Sequence, residues 1–158
     1  MKNHAMNLTP HFSFAEMTRT DTGLPNDPPI EVGANLVRLC DEVLEPIRAL
    51  LGAPLVVHSG YRSAEVNQAV GGAWNSRHLE GRACDFHPAN DNHIRLEFDK
   101  IMQSKIPYDM LLLEHKSGRY WIHAEIPELG FSPRRIAKTA VWTENGMQYR
   151  EVKKDVKK

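Results

Sequence analysis

The chain has 158 residues, 41% of them hydrophobic, which is enough for one domain with a core that needs no disulfides. Its 20 basic and 20 acidic residues give a formal net charge of zero, so we expect neither a nucleic-acid partner nor an anionic membrane surface. No stretch has the composition of a membrane span or of a signal peptide, so neither is expected.

We interpret residues 1–11 as a flexible leader, residues 12–150 as a single domain and residues 151–158 as a basic tail. Apolar residues then recur at helical spacing from Ile30 to Leu51, which predicts the long amphipathic helix of the domain. Pro46 lies inside this pattern and removes a backbone hydrogen bond, so we expect a kink or a break near Leu44.

The elements that follow alternate between helical and strand patterns. They are a strand over 54–58, a helix over 64–70, a helix over 92–104, and two hairpins, one over 108–126 and one that turns at Asn145-Gly146. Together they predict an α+β domain, with helices packed on one face of a small, mostly antiparallel sheet. The two cysteines, Cys40 and Cys84, are expected to be reduced and buried.

The stretch from Ser76 to Asp85 reads Ser-Arg-His-Leu-Glu-Gly-Arg-Ala-Cys-Asp and contains two potential zinc ligands. His78 offers an imidazole and Asp85 a carboxylate, and they are too far apart for one helical face, so we expect a loop that leads into a strand. Gly81 between them can adopt a positive φ and turn the chain. The stretch is therefore interpreted as half of a zinc site at the sheet.

A catalytic zinc ion takes three protein ligands and keeps one position open, so a third ligand is expected elsewhere. His123 is the best candidate, because it lies in a β-prone run in which Trp121, His123 and Glu125 share one face. The run that ends at Glu114 is also strand-like. A hairpin turn between the two runs would bring Glu114 close to the strand of His123.

Three motifs follow one another along the chain: Ser59-Gly60-Tyr61-Arg62-Ser63, then Ser76-x-His78-x-x-Gly81-x-Ala83-x-Asp85, then Trp121-Ile122-His123. In combination they resemble the M15 family of zinc D-alanyl-D-alanine carboxypeptidases and related peptidoglycan endopeptidases, whose metal scaffold also occurs in the Hedgehog signalling domain. The resemblance extends roughly from Phe12 to Ile126. It implies one Zn²⁺ ion on His78, Asp85 and His123.

The resemblance also implies roles for residues around the ion. Glu114 would be the proton shuttle, and Arg62 would stabilise the oxyanion or bind a substrate carboxylate. Ser76 would donate a hydrogen bond to the substrate or hold the loop of His78. Tyr61 and Trp121 are assigned to substrate binding, Trp121 as a wall of the pocket or a stacking surface.

Two questions stay open at this stage. Glu125 is an alternative proton shuttle, or else a partner that orients an imidazole. Some M15 members have an acidic residue three positions before the last ligand, or a histidine two positions before it, where this chain has Tyr120 and Trp121. These replacements are the support for an alternative function, a zinc-stabilised binding or virion structural domain without catalysis.

The expected activity is hydrolysis of a peptidoglycan stem peptide, either at a terminal D-alanyl-D-alanine bond or at an L-alanyl-D-glutamate bond. The expected partner is that peptide, and a monomer is expected. Because no export signal is predicted, we interpret the protein as a phage or prophage lysis enzyme, which acts on the cell wall after release or is carried in a phage particle.

Overall fold

The computed structural model describes residues 6–90 and 93–152. In this part of the chain the α-helices are α1 (Phe14–Thr18), α2 (Ile30–Leu39), α3 (Glu45–Leu51), α4 (Ala64–Ala69) and α5 (Ile94–Gln103). A π-helical segment spans Cys40–Leu44, and a 3-10 helix spans Arg77–Glu80. The strands are β1 (Asn7–Thr9), β2 (Phe12–Ser13), β3 (Leu55–Ser59), β4 (Ala83–Pro88), β5 (Met110–Lys116), β6 (Arg119–Glu125), β7 (Ile136–Thr143) and β8 (Gly146–Glu151).

β1 and β2 form a small antiparallel pair, and the other strands form one sheet in the order β3-β4-β6-β5-β7-β8. Neighbouring strands of this sheet are antiparallel, except β5 and β7, which are parallel. The structure therefore confirms the α+β class and the mostly antiparallel sheet. The sequence does not predict the parallel pair. β4 and β5 occupy both edges of β6, so β7 adds to the free edge of β5, and it runs parallel to β5 because it begins at the end of the sheet where β6 ends and β5 starts.

The two faces of the large sheet have different surroundings. The side chains of one face belong to the main hydrophobic core. They are Cys84, Phe86, Leu111, Leu113, Ile122 and Ala124. Helical residues complete this core, among them Leu36, Leu39, Ile47, Phe98 and Ile101, so α2, α3 and α5 pack on this face as predicted. Asp85, Glu114 and His123 alternate with the core residues and therefore lie on the other face.

The amphipathic stretch from Ile30 to Leu51 is helical throughout, but its hydrogen-bond pattern changes along its length. α2 ends at Leu39, the next five residues are π-helical, and α3 begins at Glu45. Pro46 lies in the first turn of α3, where a missing backbone N–H costs least. The irregularity predicted near Leu44 takes the form of a π-helical segment between two α-helices, and the helix does not break there.

The described part of the predicted leader is ordered. β1 pairs with β2, Thr9 is buried, and the Nδ1 atom of His11 lies 2.8 Å from a carboxylate oxygen of Glu45 in α3. This differs from the flexible leader predicted for residues 1–11, because these contacts tie residues 7–11 to the domain. Residues 1–5 lie outside the described residues. So do residues 153–158 of the predicted tail, whereas Glu151 belongs to β8.

Cys40 and Cys84 are free and buried, as predicted, and burial raises the pKa of the Cys40 thiol to about 12. None of the helices within residues 6–90 and 93–152 has both the length and the apolar composition needed to cross a bilayer.

Candidate metal centre

Three potential metal ligands converge above the polar face of the sheet. His78 lies in the 3-10 helix, while Asp85 of β4 and His123 of β6 are directly opposite each other in the strand register. The Nε2 atom of His78 is 3.3 Å from Oδ2 of Asp85, and the Nδ1 atom of His123 is 2.7 Å from Oδ1. One donor atom from each of the three residues lies within 4.8 Å of the others.

The loop of His78 is shaped by its first and last residues. The hydroxyl of Ser76 accepts a hydrogen bond from the His78 backbone N–H at 3.3 Å and caps the 3-10 helix. Gly81 ends this helix with a φ of 67°, as the sequence predicts. A Cβ atom at Gly81 would lie 2.7 Å from the carbonyl oxygen of Val32, so the glycine also lets the loop pack against α2.

His78 is oriented by a backbone carbonyl. Its Nδ1–H donates to the oxygen of Gly60 at 2.7 Å, which leaves Nε2 without a proton and directed at Asp85. The side chain is 1% exposed, and Nε2 has no hydrogen-bond partner within the described residues. Leaving a buried acceptor unsatisfied costs free energy. A cation between Nε2 and the carboxylate would remove this cost.

His123 is oriented from the opposite side. Its Nε2–H donates to Oε1 of Glu125 at 2.8 Å, and its Nδ1 faces Asp85. Burial would lower the pKa of His123, but the hydrogen bonds to Asp85 and Glu125 outweigh burial and raise this pKa well above its usual value. Glu125 therefore acts on the imidazole of His123, which is one of the two possibilities left open by the sequence.

The three residues fit one zinc ion. Burial lowers the pKa of His78 and keeps its imidazole neutral. Burial would raise the pKa of Asp85, but the two histidines outweigh burial and hold this pKa far below its usual range, so Asp85 is ionised. A neutral Nε2 and a carboxylate are donors that zinc accepts, and His123 would become the third donor by releasing the Nδ1 proton that it shares with Asp85.

Glu114 is the carboxylate beside this set. It is 6% exposed, its Oε1 lies 3.8 Å from Nδ1 of His123, and its Oε2 accepts a hydrogen bond from Nε1 of Trp142 at 3.2 Å. Burial, and then the charge of Asp85, raise the pKa of Glu114 to about 7. A carboxylate with such a pKa can take up and return a proton near neutral pH.

Arg62 approaches the centre from the loop after β3. Its backbone N–H donates to the carbonyl of His78 at 3.0 Å, and its Nε has no hydrogen-bond partner within the described residues. Burial lowers the pKa of Arg62, while the charges of Asp85 and Glu114 act in the opposite direction. The charges of both carboxylates therefore act on the guanidinium, and its Nε is a buried donor without a partner among the described residues.

The residues predicted to bind substrate have different surroundings. Trp121 is half-buried, and it lies opposite Glu114 in the strand register. The hydroxyl of Ser76 holds the His78 loop, which is one of its two predicted roles. Tyr61 is 6% exposed and belongs to the hydrophobic core, so little of its ring is available to a ligand.

The remaining histidines near the centre have other partners. His58 and His87 are on the same sheet face as Asp85, but they contact each other, with Nε2 of His58 2.5 Å from Nδ1 of His87. His115 stacks on Tyr120 with ring centres 4.2 Å apart. Tyr120 lies on the face opposite His123 by alternation along β6. Position 120 therefore does not face the three potential ligands, whereas Glu114 does.

The sequence matches a known protein family. Residues 10–125 match the family model of Peptidase M15. No curated protein matches the chain. The matched residues include the three potential ligands, Arg62 and Glu114, and they end before β7. Because the match covers more than half of the chain, the protein belongs to the M15 peptidases, a family of zinc-dependent metallopeptidases.

Proposed function

We propose that the protein is a zinc peptidase that hydrolyses an amide bond of the peptidoglycan stem peptide. The bond is either the terminal D-alanyl-D-alanine bond or the L-alanyl-D-glutamate bond within the stem. The observation that carries this proposal is the position of Glu114, whose Oε1 lies 3.8 Å from the inward-facing nitrogen of His123. A buried carboxylate beside two histidines and an aspartate is an arrangement that supports metal-assisted amide hydrolysis.

His78, Asp85 and His123 would hold the zinc ion, which when bound supplies Lewis acidity and lowers the pKa of water. Glu114 accepts a proton from the attacking water at Oε1 and returns it to the leaving amine. Burial raises the pKa of Glu114 above that of an exposed carboxyl group, which favours its return of the proton as an acid after it has acted as a base.

Arg62 and Trp121 act on the substrate. The guanidinium of Arg62 lies near Asp85 and Glu114 and donates to the oxyanion that develops on the scissile carbonyl. Trp121 forms an aromatic wall beside Glu114, against which the peptide packs. Ser76 holds the metal-binding loop by accepting a hydrogen bond from the backbone of His78, and its O–H donates to the substrate.

The biological setting that we assign is lysis of a bacterial cell wall by a phage or prophage enzyme. The family relationship supports the wall substrate, and the phage setting is an extension of it. Adding the purified protein to permeabilised bacterial cells tests the extension. Clearing of the suspension supports a lysis role, and an unchanged suspension contradicts it.

The enzymatic proposal is tested by the mass of the products from a defined stem peptide that contains both bonds. Loss of one D-alanine indicates the carboxypeptidase, and cleavage after L-alanine indicates the endopeptidase. The Glu114→Gln variant should keep zinc but lose roughly 100-fold or more in kcat. Zinc binding without any product would refute the peptidase and support the zinc-stabilised binding or virion structural domain instead.

A further inference from the structure

Trp142 lies on β7, beyond the residues that match the family model. β7 pairs with β5 in parallel, with Ala140 opposite Glu114. Trp142 follows Ala140 by two residues, so its side chain is on the same face of the sheet as Glu114. The indole Nε1–H donates to Oε2 of Glu114 at 3.2 Å. A residue of the C-terminal hairpin therefore contacts the carboxylate beside the metal ligands.

The two oxygens of Glu114 have different surroundings. Oε2 is held by Trp142, whereas Oε1 lies 3.8 Å from Nδ1 of His123. A glutamate side chain has several rotatable bonds, so a single anchored oxygen limits the directions in which the other can point. The Trp142 hydrogen bond thus selects the orientation in which Oε1 faces the metal ligands.

The indole ring of Trp142 has a second contact, with the side chain of Lys116. The ammonium group of Lys116 lies 5.0 Å from the centre of the Trp142 ring. Lys116 follows Glu114 by two residues on β5, so its side chain is on the same face of the sheet. A cation over an indole face is attractive, and this contact restrains the ring plane that determines where Nε1–H points.

We infer that Trp142 is a positioning residue of the hydrolytic site, which holds Oε2 of Glu114 so that Oε1 faces the reacting water. This inference rests on the proposed function, because it gives Glu114 the role of proton shuttle. It also gives the C-terminal hairpin a part in the reaction, although the hairpin supplies no metal ligand.

A double-mutant cycle tests the inference through activity. In Trp142→Phe, kcat on the stem peptide should fall roughly 10-fold, with KM and zinc content unchanged, because only the orientation of Glu114 is lost. In the Glu114→Gln background the same change should have no further effect, because the proton shuttle is already absent. The matched control is Trp74→Phe, which alters an exposed tryptophan and should leave kcat unchanged.

A merely structural role for Trp142 gives a different result. The melting temperature of Trp142→Phe would fall, while kcat per folded molecule would stay at the wild-type value. An equal loss in the wild-type and Glu114→Gln backgrounds would also overturn the inference, because Trp142 would then act without Glu114.

A second measurement does not depend on activity. The three tryptophans give three indole N–H signals in a ¹H–¹⁵N spectrum, and the Trp142 signal is assigned by its absence from Trp142→Phe. In Glu114→Ala this signal should shift and exchange faster with solvent, while the signal of Trp74 stays in place. An unchanged Trp142 signal would overturn the inference. If the wild-type protein cleaves no stem peptide, the proposed function fails, and this signal alone decides whether Trp142 holds Glu114.

Discussion

Each histidine of the candidate metal centre donates a hydrogen bond from one ring nitrogen to another group of the protein and directs its other nitrogen at Asp85. Gly60 accepts from His78, and Glu125 accepts from His123. Such partners fix the tautomer and the orientation of an imidazole and increase its basicity when the acceptor is a carboxylate. The two histidines would therefore differ in strength as ligands of a metal ion, because the partner of His78 is a carbonyl and the partner of His123 is a carboxylate.

The partner of His123 leads to a prediction about metal affinity. In Glu125→Gln the negative charge behind the imidazole is lost, so the affinity for zinc should fall roughly 10-fold. Competition with a chromophoric chelator measures this affinity. The control is Glu144→Gln in the exposed turn between β7 and β8, which removes the same charge far from the site. Equal zinc affinities in the two variants would show that Glu125 does not act on His123.

At the level of single residues, the sequence predicts what a local pattern encodes. His78, Gly81 and Asp85 lie in one short motif, and His123 follows from strand alternation. The role of Glu125 is not encoded in this way, because it depends on the direction of the His123 ring. Trp142 carries no signal at all, since it reaches Glu114 through a strand pairing that spans 28 positions of the chain.

Tyr61, which the resemblance assigns to substrate binding, shows why a sequence motif alone does not establish such a role. The residue belongs to the motif before the metal-binding loop, but its backbone N–H donates to the carbonyl of Met17 and its side chain enters the core. A motif identifies which residues accompany a site, whereas burial decides which of them can reach a ligand. A buried tyrosine in such a motif packs the loop that carries its neighbour, Arg62.

Among the larger elements, the loop regions from 59 to 82 depend on close backbone contacts. A Cβ atom at Gly60 would lie 2.3 Å from the carbonyl oxygen of Met17, so this loop is packed directly on α1. Gly81 makes the equivalent approach to α2, at 2.7 Å from the carbonyl oxygen of Val32. Gly60 accepts the hydrogen bond from the His78 ring, and the backbone N–H of Gly81 donates to the His78 carbonyl, so packing on the helices helps to position this potential ligand.

Two glycine variants separate backbone strain from this packing. Gly81 has a φ of 67° and Gly118 a φ of 79°, but only at Gly81 would a Cβ atom meet other atoms. Gly118→Ala should therefore cost about 1 kcal/mol of unfolding free energy, and Gly81→Ala about 2–4 kcal/mol. Urea unfolding of the metal-free proteins measures both values. Equal costs would show that the loop does not need its close contact with α2.

The segment between β6 and β7 is held by an ion pair at the start of β5. The guanidinium of Arg134 donates to both carboxylate oxygens of Asp109, with Nη2 at 2.7 Å from Oδ2, and its backbone N–H donates to Oδ1 at 2.9 Å. Burial would raise the pKa of Asp109, but the hydrogen bonds from Arg134 outweigh burial and lower this pKa.

This pair predicts a pH-dependent contribution to stability. A lowered folded-state pKa stabilises the protein above the unfolded value of about 3.9, and the contribution is lost as the pH falls through the folded-state pKa. Arg134→Ala should cost about 1–2 kcal/mol at pH 7, a modest value because the Arg134 side chain is 52% exposed. The wild-type and variant unfolding free energies should converge as the pH is lowered below about 4. A difference that is independent of pH in urea unfolding would contradict this account.

The elements that the sequence predicts are those with long periodic patterns. The helix from Ile30 to Leu51 and the hairpin of β5 and β6 have clear apolar periods. β1 and β2 are strands of three and two residues, too short for any period to appear. The pairing of β7 with β5 depends on which sheet edge remains free, and a local sequence pattern does not predict the free edge.

In the molecule as a whole, one face of the large sheet packs in the hydrophobic core and the other face bears the candidate metal centre. The apolar face is covered by α2, α3 and α5, while potential metal ligands from three structural elements meet above the polar face. A bound ion would therefore connect the 3-10 helix, β4 and β6. Because these segments separate on unfolding, metal binding is expected to stabilise the folded state.

The thermal consequence can be measured by calorimetry. Zinc at 100 times its Kd should add about 2.7 kcal/mol of unfolding free energy, which corresponds to roughly 5–10 °C in melting temperature for a chain of this size. Chelator should reverse the increase. In Asp85→Ala the increase should be absent. A wild-type melting temperature that does not respond to zinc would contradict the metal site.

The central claim is that one zinc ion on His78, Asp85 and His123 enables amide hydrolysis. Titrating zinc into the metal-free protein, while following cleavage of a defined stem peptide by mass spectrometry, tests it most directly. We expect activity to rise in proportion to added zinc and to reach a plateau at one ion per chain, with none in Asp85→Ala. Cleavage that persists in the metal-free protein, or no cleavage at any zinc concentration, would contradict the claim.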